Sequence, residues 1–231
     1  MRIVRGSLPD IERDRDVTRR LGDIVDETGE PALRAWTPPK QIAFGRRDAA
    51  ADGYERAREE ARERGYEHIK RSVGGHAVAY TGGTVAFTYA IPTDSDWGGI
   101  QTRYEDVTGL LQQALRSIGV SVQRGEPEKS FCPGEHSLQG DGKIAGLAQR
   151  VRRMNALVGG CIVVTERDEH EIAAVLGPVY TALGVPFDPE SVGSVESASG
   201  PSDPARVIDG IETTFVGDRE RTDVSASDLL A

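Results

Sequence analysis

Cys132 lies eleven residues before Lys143 in the stretch KSFCPGEHSLQGDGKIAGLAQRVRR (129–153), and the two residue types together suit acyl-group chemistry. A thiolate can accept an acyl group as a thioester and release it to an amine. An ammonium can hold a carbonyl or phosphate oxygen through charge-assisted hydrogen bonds. Pro133 lacks a ladder donor and Gly134 readily takes positive φ, so the thiol belongs at a loop edge, open to solvent or ligand. Asp141-Gly142 signals a tight turn, and residues 143–148 read as a strand with Lys143 at its mouth. Lys129, Lys143 and His136 are the nearby groups that could favour a thiolate. The alternatives are an inert, core-like Cys132 and a solvated strand-end Lys143. A zinc site on Cys132 and His136 lacks two further ligands at any credible spacing, so no metal is expected there.

A second cluster is RSVGGHAVAY (71–80). A Gly74-Gly75 turn between strands lets backbone N–H groups approach an anion or carbonyl, and Arg71 supplies a planar cation. His76 alone is more often a hydrogen-bonded strand residue than a catalytic base. A plain glycine hairpin with a surface arginine is the competing account of the whole stretch.

The 231 residues suffice for one sizeable α/β-type domain. With 37 acidic against 28 basic residues and a net charge of -9, wholesale attraction to nucleic acid or anionic membrane is not expected. Only Lys40, Lys70, Lys129 and Lys143 are lysines; the other 24 basic residues are arginines. This is the surface chemistry of a salt-adapted, halophilic protein, or that of an acidic protein from a high-GC genome. There is no run of 18 apolar residues and no signal-peptide pattern. Two cysteines suit a reducing cytoplasm, with Cys161 in the core.

Helices are expected over 10–28 (capped by Asp10, stopped by Gly29), 50–64, 104–117 and 169–183. Strands are expected over 32–36, 41–44, 67–71, 76–80, 84–92, 120–124, 143–148 and 157–164, with a loop over 95–101. Gly45-Arg46-Arg47-Asp48 reads as a turn bearing two adjacent guanidiniums. After residue 188, where Ser, Gly, Pro and Asp dominate, only 207–215 could form a helix. The expected division is a catalytic domain over 1–187 and a polar C-terminal segment over 188–231. This order fits an α+β fold with a mixed, mostly antiparallel sheet packed with helices.

RSVGGHAV (71–78) followed by GTVAFTYAIP (83–92) resembles the lipoyl-binding signature of the lipoate–protein ligase A and octanoyltransferase superfamily. FCPGEHSL…GKIAGLAQR (131–150) resembles its second signature, in the cysteine-bearing form of the octanoyl-[H protein] amidotransferases. The resemblance runs over roughly residues 32–164. It implies a biotin/lipoate ligase-like catalytic domain with a tunnel for an eight-carbon chain. It implies further that Arg71, Gly74, Gly75, His76 and Ala77 line the acyl and nucleotide pocket, with Tyr80 closing that stretch. Cys132 would accept the acyl group, Lys143 would bind the acyl carbonyl or acyl-adenylate, and Gly146 would pack against the chain. His76 and His136 depart from the residues usual at their positions, glycine or another small residue for the first and tyrosine for the second.

The expected reaction attaches a lipoyl or octanoyl group to a lysine ε-amine of a lipoyl domain, on the glycine cleavage H protein or an E2 subunit. One route passes through a Cys132 thioester, with an acyl carrier protein or H protein as donor. The other is a ligase route using lipoate, ATP and Mg²⁺ through lipoyl-adenylate, with or without an accessory subunit. A non-catalytic lipoyl-domain binder is a third reading. A biotin ligase lacks support because no GRGR loop is present, and a cysteine peptidase because His136 is poorly placed.

Overall fold

The computed structural model describes residues 1–71, 74–93 and 99–230. Its strands are β1 (Arg2–Arg5), β2 (Ala32–Trp36), β3 (Gln41–Phe44), β4 (Glu67–Lys70), β5 (Val78–Tyr80), β6 (Val85–Pro92), β7 (Gln123–Arg124), β8 (Ser137–Gln139), β9 (Lys143–Val151), β10 (Asn155–Ile162) and β11 (Thr222–Ser225). Its helices are α1 (Ile11–Thr28), α2 (Tyr54–Glu63), α3 (Ile100–Ser117), α4 (Glu166–Leu183) and α5 (Pro204–Val216). The fold is α+β. An eight-stranded sheet runs β11-β1-β2-β6-β10-β9-β8-β7, and a three-stranded sheet runs β4-β3-β5. Among the described strands, only the β1–β11, β1–β2 and β3–β4 pairs are parallel.

Alternation along the central strands decides where the core lies and where a cavity can open. On β6, Val85, Phe87, Tyr89 and Ile91 enter the main core beneath α3 and α5, as Ala156, Val158 and Ile162 do on β10. The intervening residues face the other way. Register aligns Trp36, Ala86, Cys161 and Gly146 in one row, and Arg34, Thr88, Gly159 and Ala148 in the next. Most of these are small, so this face has a recess at its centre. At one end α1 covers it, packing Val17, Leu21, Ile24 and Val25 against Ala32 and Ala90.

Helix signals act as their chemistry dictates. The Asp10 carboxylate accepts the Arg13 N–H at 2.9 Å, and Gly29 closes α1 at φ 70°. Thr165 and Asp168 form a reciprocal capping box on α4, which begins three residues earlier than the apolar spacing suggested. Similarly, α3 starts at Ile100, so the expected 95–101 loop loses its last two residues, and 94–98 lie outside the described residues. α2 is shorter than expected, with a 3₁₀ turn over Asp48–Ala50 before it. The strand expected over 120–124 shrinks to β7; Val120 and Val122 are buried without ladder pairing.

The packing does not break at 187/188. Val207, Ile211 and Phe215 of α5 sit in the main core, and β11 extends the sheet beside β1. Arg5 and Arg221 both bond Glu212, which is buried, tying β1 and the β11 approach to α5. The C-terminal residues are thus part of the same body. The helix expected over 207–215 is α5, which starts three residues earlier and ends one later.

Candidate active site

A cavity of about 480 Å³ opens over the recessed face, bounded by Arg71, Gly74 and Gly75, by the Cys132 loop and by the start of α1. That volume is in the range of small-molecule sites. Arg71, Gly74, Gly75, Tyr80, Cys132, Lys143 and Gly146 line it, as do Ala86, Gly159 and Cys161 from the sheet. His76 and Ala77 do not, contrary to the sequence expectation. The His76 ring turns to the buried Asp48, Nδ1 to Oδ1 2.7 Å, and Ala77 is packed among apolar neighbours with its carbonyl bound elsewhere. Ser72 and Val73 of the motif lie outside the described residues.

Cys132 is held from three sides. Its backbone is left-handed at φ 42°, an uncommon conformation for a residue with a Cβ. Its N–H donates to the Tyr180 hydroxyl at 2.6 Å, and that hydroxyl donates to the Ala77 carbonyl at 3.0 Å. The Cys132 carbonyl accepts from Lys143 Nζ at 2.9 Å. These bonds leave the side chain on the cavity wall, where Arg71 Nη2 donates to Sγ at 3.1 Å. Arg71 also donates to the His76 carbonyl. The cation at the sulfur is therefore Arg71, and not Lys129, Lys143 or His136. Lys129 is exposed, and His136 stacks on Tyr104 with ring centroids 4.1 Å apart. Burial alone would lower the Arg71 pKa, but the neighbouring Cys132 and Tyr80 raise it, so its charge is secure.

The two glycines of the loop differ. Gly75 has φ 83°, and a Cβ there would lie 2.7 Å from Cys132 Sγ and 3.1 Å from Arg71 Nη2. A Cβ on Gly74 would meet nothing within 4 Å. Only the second glycine is required by close approach.

Lys143 does not stand at an open strand mouth. It is fully buried, and its amine donates to Glu126 Oε2 at 2.7 Å and to the carbonyls of Phe131 and Cys132 at 2.9 Å each. Glu126 also accepts the Gly134 N–H at 2.8 Å and the Ser137 hydroxyl at 2.9 Å, which knits the loop between them. Burial pushes the Glu126 carboxyl up, but Lys143, Gly134 and Ser137 outweigh it and leave the pKa lowered. Gly146 lies over this lysine; a Cβ there would come within 3.1 Å of Lys143 Cε.

Burial, then the charge of Asp168, push the Cys161 thiol up to about 12, which marks it as inert cavity lining. Burial and the adjacent Cys132 likewise raise the Tyr180 hydroxyl, so it stays protonated. Tyr180, Glu126 and the Asp48 partner of His76 escaped the sequence reading. Among the described residues, no group of three or more His, Cys, Asp or Glu is placed to hold a metal ion. Nor is any helix among the described residues long and apolar enough to cross a membrane.

The fold is shared with lipoate–protein ligases. Lipoate–protein ligase A bound with ATP superposes with a TM-score of 0.73 at 18% identity, covering 99% of this chain and 91% of that one. A putative lipoate protein ligase from T. acidophilum with bound lipoic acid gives 0.70 at 17% identity, covering 99% and 92%. The family model for the lipoyl protein ligase A/B catalytic domain matches residues 14–208, and the chain belongs to that family. Among curated relatives, octanoyl-[GcvH]:protein N-octanoyltransferase of Geobacillus kaustophilus is 30% identical over 122 residues, covering 52% of this chain and 43% of the relative. The enzyme of that name from Oceanobacillus iheyensis is 25% identical, covering 86% and 73%. The lipoyl-[GcvH]:protein N-lipoyltransferase of Listeria monocytogenes is 24% identical, covering 66% and 55%. The matched region thus spans less than half the length of the first of these relatives.

Proposed function

We propose that this protein transfers a lipoyl or octanoyl group to the ε-amine of a lysine on a lipoyl domain, through a thioester on Cys132. The observation that carries this reading is the sulfur on the cavity wall with the Arg71 guanidinium 3.1 Å away. Its relatives are named for transfer from octanoyl-[GcvH] or lipoyl-[GcvH] to another protein, which supports a glycine cleavage H protein as donor and an E2 subunit as acceptor.

In the first step Cys132 Sγ attacks the carbonyl of the donor's acyl group. The new C–S bond forms as the donor's bond breaks, C–N for an acylated lysine of an H protein or C–S for a carrier thioester, and the leaving amine or thiol departs with the proton that Cys132 gave up. In the second step an acceptor amine, having lost its extra proton to water, attacks the Cys132 thioester. The amide C–N bond forms as the Cys132 C–S bond breaks, and the proton released from nitrogen returns to the sulfur. Each step passes through a tetrahedral oxyanion that needs donors. The Cys132 N–H is committed to Tyr180 and the Lys143 amine to three acceptors. Arg71 Nε is buried without a partner among the described residues, and is the donor left to serve. Lys143 acts by fixing the loop that carries the nucleophile.

The second reading, an ATP-dependent ligase with Mg²⁺ and lipoyl-adenylate, has Lys143 hold the adenylate phosphate. It requires Lys143 to release Glu126 or a loop carbonyl. Intact-mass spectrometry in molar KCl, the medium the acidic composition suggests, separates the two with an apo lipoyl domain as acceptor. Acylation from an octanoyl thioester without ATP, with an enzyme adduct absent in Cys132→Ala, supports transfer. Acylation only with lipoate, ATP and Mg²⁺, and undiminished in Cys132→Ala, would replace it with ligation. Binding of the domain with neither product would favour a non-catalytic binder.

A further inference from the structure

Among the described residues, three large hydrophobic side chains are exposed: Ile100 at 57%, Val151 at 44% and Met154 at 51%. They gather at one end of the main sheet. The Gln149 side chain donates to the Ile100 carbonyl at 3.1 Å, and Val151 follows two residues along the same strand, on the same face. Met154 lies in the β9–β10 turn, its carbonyl accepting the Thr93 N–H at 3.1 Å. Scattered exposed leucines need no explanation, but exposed apolar residues confined to one place do.

The charge at this place runs against that of the chain. Residues 149–155 read QRVRRMN, three arginines with no acidic residue, in a protein of net charge -9. Arg150 and Arg152 line the cavity itself. Arg152 is also paired with Asp23 at 3.5 Å, whereas Arg153 is exposed and makes no ion pair with an acidic side chain among the described residues. Apolar residues set among arginines are the composition of an interface centre rather than of a solvated turn.

We propose that the β9–β10 turn with Ile100 is the docking face for the acceptor domain, and that the acceptor presents an acidic surface around its target lysine. This rests on the acyl-transfer reading above, and adds where the acceptor sits and what chemistry it shows. A lysine side chain is short, so its domain must seat close to the cavity, and Arg150 and Arg152, which flank Val151 before the β9–β10 turn, line that cavity. Positive charge offered by an otherwise acidic protein steers an acidic partner and repels a basic one. An anionic membrane fits poorly, because the remaining surface would be repelled by it.

The test separates loading from delivery. In the double variant V151E/M154E, which leaves the cavity lining intact, Cys132 loading from a small octanoyl thioester should stay within about twofold of the unaltered protein. The KM for apo lipoyl domain should rise at least about tenfold, with kcat at saturation little changed. Arg153→Glu alone should raise KM and flatten its dependence on KCl between 0.2 and 2 M, where screening removes exposed-charge attraction, and Arg153→Lys should restore both. An unchanged KM in the double variant overturns the proposal. So does binding to phosphatidylglycerol vesicles that the double variant loses while its KM holds. If the unaltered protein neither loads nor transfers, the acyl-transfer reading fails on its own. Titration of the domain onto the double variant then still decides the surface: weakened binding supports it and unchanged binding refutes it.

Discussion

Adjacent glycines with opposite tolerance offer the sharpest check on the active-site geometry. Replacing Gly75 by alanine places a methyl group 2.7 Å from Cys132 Sγ and 3.1 Å from Arg71 Nη2, at φ 83°. The backbone cost is about 1–2 kcal/mol for a left-handed alanine, or roughly 2–8 °C in melting temperature for a chain of this length. The functional cost is separate. The sulfur must move off the guanidinium, and a hydrogen bond involving a charged group contributes about 1.5–3 kcal/mol. At 1.36 kcal/mol per decade, that predicts a loss of about 10- to 150-fold in Cys132 reactivity. Gly74→Ala meets nothing within 4 Å and should alkylate within about twofold of the unaltered rate. The assay is the iodoacetamide rate at Cys132 by intact mass, with Cys161 as the slow internal reference. Equal rates for Gly75→Ala and the unaltered protein, or equal damage by both substitutions, would refute the close approach of loop and thiol.

Tyr180→Phe keeps the ring but frees the Cys132 N–H and the Ala77 carbonyl. Loading of Cys132 should fall by about tenfold or more while KM for the acceptor holds, as rapid-quench and steady-state rates would show. Cys161→Ala should leave transfer rates unchanged, because that thiol is buried and raised to about 12; adduct mapping by peptide mass would reveal any exception. The Glu126 carboxyl is held below its ordinary value, so its contribution to stability is complete above the unfolded pKa, about 4.3, and fades as pH falls through the folded value. Melting temperatures of Glu126→Gln and the unaltered protein should therefore differ most near pH 7 and converge below about pH 4; a gap independent of pH would show that charge is not the cause.

Much of the fold was legible because period and punctuation agree in the sequence. β2 and β3 fall on the expected residues, as do the ends of α1 set by Asp10 and Gly29. The strands that were missed, β1, β8 and β11, are three or four residues long and mostly polar or charged, so alternation has no room to register. Arg34 shows another limit. It sits in a strand that reads as alternating, yet it is fully buried, bonded to Asp14 and lying 4.1 Å over the Trp36 ring. That buried pair is visible only once α1 is laid across the sheet. Cys132 and Lys143 were legible as residue types at a spacing, but their partners were not. Tyr180 follows Val179 on α4 and reads as one more core residue, whereas its hydroxyl sits against the backbone of Cys132. Likewise, Arg71 was read as a ligand-binding cation, and its contact with sulfur depends on a loop separated from Cys132 by some sixty residues.

An activated acyl group is indiscriminate toward amines, and this chain offers it very few. Of its 28 basic side chains, 24 are guanidiniums, which stay protonated and do not take up acyl groups. Lys143, the amine nearest the thiol, has its three hydrogens engaged by Glu126 and two carbonyls, and Lys40 is paired with Glu171. Lys70 and Lys129 alone remain on the surface without a carboxylate partner among the described residues. On the proposed transfer route, a loaded Cys132 would therefore have almost no amine of its own to acylate, and the thioester would outlast the wait for an incoming lysine.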